Sequence, residues 1–281
     1  MTMNDIPVPG TWTTLEAADR EGVRRIGLAR PKIHNAFDET LIAELTRAFR
    51  DAGADPGVRA VLLYSSGPSF CAGADLEWMR RTANYGRAEN LADAEALAAM
   101  LAAVAGCPKP TLARVQGNAF GGGVGLIACC DIAIGSDEAL FALSEVKLGI
   151  IPSTIGPYVM AAIGERSARR YFVTGERFSA AEAHRIGLLH ELVPPAGLDA
   201  RVDEVLDALA LAGPQAQREA KLLVRAIANR PIDAPLVADT VERIARVRAT
   251  DEAREGLSAF LAKREPSWLP ERLRGAAKRR R

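Results

Sequence analysis

Two glycine-rich stretches and one glutamate are the residues of this sequence whose types and spacing could do chemistry. The longer stretch, Gly117-Asn118-Ala119-Phe120-Gly121-Gly122-Gly123-Val124-Gly125-Leu126, follows a β-prone run and opens a segment, ending at Cys130, that can be helical. Glycines let the main chain approach a ligand closely. The unpaired N–H groups of a helix start, reinforced by the helix dipole, favour an oxygen carrying negative charge. A tight turn with close helix–sheet packing is the purely structural alternative. Nucleotide-cofactor motifs do not fit, because Leu126 stands where G-x-G-x-x-G needs its last glycine and the Lys-Ser/Thr of a P-loop is missing. The second stretch, Ser69-Phe70-Cys71-Ala72-Gly73-Ala74-Asp75-Leu76, exposes main-chain amides through small residues in the same way. Together the two supply two N–H donors, the minimum for holding a carbonyl oxygen as it becomes an enolate. Glu145, in Leu143-Ser144-Glu145-Val146-Lys147-Leu148-Gly149, lies within a largely apolar stretch. Desolvation there would move its carboxyl towards neutrality and suit it to acid/base work. The alternative is an exposed glutamate paired with Lys147 or an arginine.

The elements that must position these residues alternate between strand and helix. Residues 12–17 and 23–28 read as two strands joined by a turn at 19–22, and short β-prone runs recur at 58–64, 111–115, 131–135 and 140–143. From Asp38 the apolar positions Leu41, Ile42, Leu45, Ala48 and Phe49 follow helical spacing, with Asp38 as N-cap and Gly53 near the end. This alternation predicts an α/β fold in which helices cover a largely parallel sheet. Beyond about residue 198 the pattern becomes helical throughout, at 198–212, 215–228, 234–248 and 251–263, punctuated by Pro214, Pro231 and Pro235. The chain therefore divides into a core, residues 1–197, and a helical region, 198–281. No fixed-period repeat is present in the sequence. Residues 80–90, polar and containing Gly86, read as a mobile lid.

Composition narrows the function classes. With 48% hydrophobic and 25% charged residues and a net charge of +1, neither disorder nor a polyanionic partner is favoured. The last eleven residues hold six basic side chains against Glu271, which reads as a solvated tail, with nucleic-acid contact as the less favoured alternative. Cys71, Cys107, Cys129 and Cys130 lack zinc-type spacing and are read as buried thiols, so no metal is expected. No run of eighteen apolar residues occurs, and residues 1–12 lack a basic region followed by an apolar one; a cytoplasmic protein with no membrane partner is the expectation. His184 and His190 read as structural, His34 as a lining residue, and no G-x-S-x-G elbow exists.

From Arg30-Pro31-Lys32-Ile33-His34-Asn35-Ala36, through both glycine-rich motifs, to Arg254-Glu255-Gly256-Leu257-Ser258-Ala259-Phe260-Leu261-Ala262-Lys263, the sequence resembles the enoyl-CoA hydratase (crotonase) superfamily. The resemblance implies a spiral of ββα turns, a C-terminal helical trimerisation module, and a homotrimer or homohexamer. It implies that Ala74 and Gly122 donate the oxyanion-hole N–H groups. Lys32 and Ala72 would contact coenzyme A, and Phe260 and Lys263 would reach the CoA of a neighbouring subunit. No resident cofactor is implied, since coenzyme A enters as part of the acyl-CoA thioester substrate. Typical hydratases carry two glutamates twenty residues apart; here Gly125 takes the first place and Glu145 keeps the second. The implied activity is that of a hydro-lyase adding water to a 2-enoyl-CoA. Residues 143–166 look most like members acting in branched-chain acyl-CoA breakdown, such as on 3-methylglutaconyl-CoA. Isomerisation, decarboxylation, or a non-catalytic CoA- or RNA-binding role are the alternatives that Gly125 leaves open.

Overall fold

The computed structural model describes residues 5–8 and 10–275. Lys278, Arg279, Arg280 and Arg281 of the basic tail lie outside the described residues.

The chain opens on an antiparallel arrangement. β1 (Ile6–Pro7) pairs with β2 (Leu15–Arg20), which turns into β3 (Val23–Leu28) through Glu21 and Gly22. Both turn residues have positive φ, 53° and 80°, the two-residue turn whose twist matches the flanking strands. So tight a turn lets β2 run to Arg20, past the 12–17 read from the sequence. Trp12 instead lies under the Arg47 guanidinium, 4.1 Å from the ring centroid. α1 (Glu39–Ala54) starts at its expected cap, where Asp38 Oδ1 accepts the Leu41 N–H at 2.8 Å. It buries Leu41, Ile42, Leu45, Ala48 and Phe49. Each larger side chain in that stripe contributes roughly 1.5–3 kcal/mol through burial. Glu44 is buried on the same helix. Burial alone would raise its carboxyl, but bonds from the side chains and N–H groups of Thr14 and Thr13 outweigh that and hold it below its ordinary value.

Three turns of a spiral follow. The first comprises β4 (Ala60–Ser65), β5 (Ser69–Cys71), α2 (Leu76–Thr82) and α3 (Arg87–Gly106). The second comprises β6 (Thr111–Val115), β7 (Asn118–Phe120) and α4 (Gly122–Cys129). The third comprises β8 (Ile132–Ser136), β9 (Leu140–Ala142), a 3-10 turn over Ser144–Leu148, and α5 (Gly156–Thr174). β10 (Arg177–Ser179), α6 (Ala180–Arg185) and β11 (Glu191–Val193) complete it. Each turn lays its first strand in a seven-stranded sheet, order β1-β2-β3-β4-β6-β8-β11, and its second in a four-stranded sheet, order β10-β9-β7-β5. From β3 to β11 the large sheet is parallel, as are β5, β7 and β9 in the small one. This is the α/β spiral of ββα turns that the sequence implied. The strands of the small sheet were not all legible, because three residues are too few to display a period of two.

Residues 80–90 are not an open loop. α2 continues to Thr82, and α3 starts at Arg87 after a short turn, with the Gly86 N–H donating to Glu89 Oε2 at 2.7 Å. This one-sided cap, made by the Glu89 side chain alone because glycine has none to return it, turns the segment into a helix start.

The described chain forms two compact units. One holds the residues up to Cys107 together with Thr111–Asp203; the other holds Pro108–Pro110 and the residues from Glu204. The division by compactness thus falls inside α7 (Leu198–Leu211), six residues past the point where the sequence pattern turns helical. α8 (Pro214–Ile227), α9 (Ala234–Arg248) and α10 (Asp251–Leu261) belong to the second unit. Glu252 there caps α8 by accepting the Gln215 and Ala216 N–H groups, and Trp268 Nε1 donates to Leu211 O at 3.1 Å.

Candidate active site

Just beyond the ends of three adjacent parallel strands lie the three residues expected to do chemistry. Cys71 of β5 pairs with Ala119 of β7, and Ala119 pairs with Phe141 of β9. Ala74 follows Cys71 by three residues, Gly122 follows Ala119 by three, and Glu145 follows Phe141 by four. Repetition of the ββα turn therefore delivers both main-chain donors and the carboxyl to one end of the small sheet.

At the first donor, Phe37 bridges Ala74 in parallel fashion: the Phe37 N–H donates to Gly73 O at 2.7 Å and the Asp75 N–H to Phe37 O at 2.8 Å. Those bonds use the residues on either side of Ala74. The Ala74 N–H consequently faces away from the ladder, on an exposed residue, without an acceptor among the described residues. Asp75 caps α2 by accepting the Glu77 N–H at 2.7 Å and the Trp78 N–H at 3.2 Å. At the second donor, the Gly121 N–H donates to Ala142 O at 2.9 Å, and Gly122 is the first residue of α4, where the N–H has no intrahelical partner. The glycines are required by close approach. A Cβ on Gly122 would meet the Phe37 ring at 2.7 Å, and one on Gly123 would meet Cys71 O at 2.6 Å.

Glu145 sits on the 3-10 turn after β9, closed by Gly149 at φ 74°. Its Oε1 lies 3.1 Å from where a Gly121 Cβ would be, beside the Gly122 donor. Its Oε2 is buried and has no hydrogen-bond partner among the described residues. Burial pushes the carboxyl above the ordinary glutamate value, opposed only in part by a backbone N–H. Among the described residues, Glu145 makes no pairing with Lys147 or an arginine of the kind that would mark a plain surface residue.

Position 125 is closed. A Cβ there would fall 2.2 Å from Ile155 Cγ2 and 2.7 Å from Ile155 Cβ, and Ile155 is 2% exposed. No side chain, a carboxylate included, fits at position 125 without moving that isoleucine.

Lys32 is exposed on a 3-10 turn over Pro31–Ile33, and the Ala72 N–H, just past β5, donates to His34 O at 2.9 Å, joining the segment before Ala74 to the loop that carries Lys32. His34 Nδ1 lies 3.0 Å from Ser69 Oγ. Phe260 and Lys263 belong to the second compact unit, Phe260 on α10 and Lys263 two residues past its end. Trp78 is buried, donating from Nε1 to Asp93 Oδ1 at 3.0 Å; Arg80 pairs with Glu77 and Arg81 with Glu39. His190 Nδ1 accepts the Ala133 N–H at 3.1 Å, the structural role read for it. A surface hollow of about 420 Å³ on α1 and α3, which includes Glu39, Arg47 and Asp93, shares no residue with the site. Sequence reasoning passed over Arg30, Phe37 and Ile155. A signal for Ile155 existed: a glycine in an otherwise bulky helical run implies a large neighbour close to its backbone.

The family model described as enoyl-CoA hydratase/isomerase matches residues 18–271. The enoyl-CoA hydratase ACTT6 of Alternaria alternata is 34% identical over 247 residues, covering 87% of this chain and 80% of that protein. A crystal structure of an enoyl-CoA hydratase from Shewanella pealeana superposes with a TM-score of 0.89 at 43% identity, over 91% of this chain and 96% of its own. One from Mycobacterium smegmatis does so with a TM-score of 0.85 at 34% identity, over 92% and 99%. The chain belongs to the enoyl-CoA hydratase/isomerase family.

Proposed function

We propose that the protein adds water to a 2-enoyl-CoA thioester, with Glu145 as the single acid/base. The observation that carries this reading is the Glu145 carboxyl: desolvated, unpaired at Oε2, and set against Gly121 beside a free main-chain donor. In the reaction, ionised Glu145 takes a proton from water as the water oxygen bonds to C3 of the substrate. The C2–C3 π electrons shift towards the thioester carbonyl, giving an enolate whose oxygen the Ala74 and Gly122 N–H groups hold. Glu145 then returns the proton to C2, so that one carboxyl serves both steps. Lys32 and Ala72 contact coenzyme A, which enters with the substrate and leaves with the product; no resident cofactor is required. Phe260 and Lys263 contact the CoA of a neighbouring subunit in a homotrimer or homohexamer. Support for such an assembly comes from the apolar side chains left exposed on α9 and α10, Val237, Val241, Leu257 and Phe260 among them. A branched acyl group such as 3-methylglutaconyl is the preferred substrate, by the likeness of residues 143–166.

A second reading has one observation in its favour. The closed position 125 leaves one carboxyl, and a single base suffices to move a proton between C2 and C4 in double-bond isomerisation. Incubating purified protein with crotonyl-CoA and 3-methylglutaconyl-CoA, while following the conjugated thioester absorbance and identifying products, separates the two. Loss of absorbance with a 3-hydroxyacyl-CoA product, slowed about 10²–10⁴-fold in Glu145→Gln, is the expected result. Rearranged enoyl-CoA without hydration would replace the lyase reading with isomerisation.

A further inference from the structure

Phe37 touches both halves of the donor pair. Its main chain forms the two bonds that flank Ala74, and its ring is what a Cβ on Gly122 would strike at 2.7 Å. Phe37 as a whole is 2% exposed. Whatever fixes Phe37 therefore fixes the spacing between the donors, which lie on separate turns of the spiral.

Arg30 grips the residues around it. Its Nη1 donates to Ala36 O at 2.6 Å, and its Nη2 lies 2.7 Å from Asp38 Oδ2 and 3.3 Å from Asp75 Oδ2. These groups are the neighbours of Phe37 on both sides and the residue after Ala74. The three side chains are 17%, 16% and 12% exposed, enough burial for the contacts to be held against water. Asp38 and Asp75 also cap α1 and α2, so the guanidinium ties two helix starts to one strand bridge. Asn35, buried at φ 55°, locks the same loop by accepting the Arg30 N–H at 2.9 Å and donating to Ser66 O and Ser69 O. A planar fork can meet a carbonyl and two carboxylates at once, which a lysine ammonium on a flexible stem cannot hold in one geometry.

We infer that Arg30 and Phe37 form a brace that sets the distance between the Ala74 and Gly122 donors, with Arg30 as a positioning residue for the oxyanion hole rather than a contact to substrate. The inference rests on the acyl-CoA reading given above. Its test uses acetoacetyl-CoA, whose enolate absorbs where the keto form does not, together with crotonyl-CoA turnover. In the native protein the donors raise the enolate fraction of bound acetoacetyl-CoA. Arg30→Lys lowers that fraction and cuts kcat about 10–100-fold while KM changes less than about threefold, because a donor misplaced by a fraction of an ångström loses the transition state before it loses the ground state. Phe37→Leu, which keeps the strand bridge but withdraws the ring from Gly122, does the same and carries the test if Arg30→Lys fails to fold. A native enolate shift left intact in the variants, with native kcat, overturns the brace alone. Binding of acetoacetyl-CoA to the native protein with no enolate shift overturns the enolate-holding role of Ala74 and Gly122 in the reading beneath it.

Discussion

Positions 125 and 145 stand twenty residues apart on successive turns, and the fold treats them in opposite ways. At 145 a carboxyl is held out of water with one oxygen unpaired and its proton affinity raised. At 125 the space that a side chain would need is already filled by Ile155. The backbone donors show no such divergence: strand ends, helix start and glycines fix both. The difference teaches that the main-chain part of this site comes with the fold, whereas its side-chain acid/base complement is decided by one residue and the neighbour packed against it. A second carboxyl cannot be gained here by one substitution. It needs room to be made at 155 as well.

The largest effect that would test this contrast is at Glu145 itself. Glu145→Gln keeps the shape and removes the base, and turnover of the preferred enoyl-CoA should fall about 10²–10⁴-fold, the usual share of general acid/base catalysis. Initial rates measure it; a loss smaller than about tenfold would move the base elsewhere. Next comes position 125. Gly125→Glu should destabilise the protein by at least the ~1–3 kcal/mol typical of overpacking, with a further cost for an unpaired buried carboxyl. Pairing it with Ile155→Gly should recover part of that loss. Denaturant midpoints of the two single variants and the double variant give the coupling directly. Additive values would mean that Ile155 is not what closes position 125.

Much of this was legible in the sequence because it depends on main-chain requirements. Gly121, Gly122 and Gly123 announce a backbone that must come close to something, and the apolar spacing from Leu41 to Phe49 announces α1 with its cap at Asp38. The spiral itself left no repeat in the sequence. Its first turn carries α3 where its second carries only the short α4, so equivalent points fall at unequal intervals. β5, β7 and β10, three residues each, hold their places through neighbours rather than through a pattern of their own. Arg30 and Phe37 were hidden for a different reason. An arginine before a proline reads as surface, and only the return of the chain beside Ala74 shows that Arg30 is enclosed by Asp38 and Asp75. Residues 80–90 misled because their polarity suggests a loop, whereas exposed helical turns are polar too.

The smallest effect is on stability, and its sign separates a desolvated carboxyl from an ordinary one. Burial raises the Glu145 pKa in the folded state above its unfolded value. Between those two values the folded protein therefore holds more protons than the unfolded chain, and stability falls as pH rises through that window. Below the unfolded value the penalty is absent; above the folded value it is fully present. Glu145→Gln lacks the titration, and the cost of burying its amide does not change with pH. The melting-temperature difference, variant minus native, should thus become more positive from acid towards neutral pH, changing only across the window that begins at the ordinary glutamate value. The acid limb of kcat/KM should centre on the upper edge of that window, the folded value, since the base must be ionised to take a proton from water. A stability difference flat in pH, or one with the opposite slope, would place the Glu145 carboxyl in a solvated or ion-paired setting. The contrast with position 125 would then lose its electrostatic half and keep only its steric one.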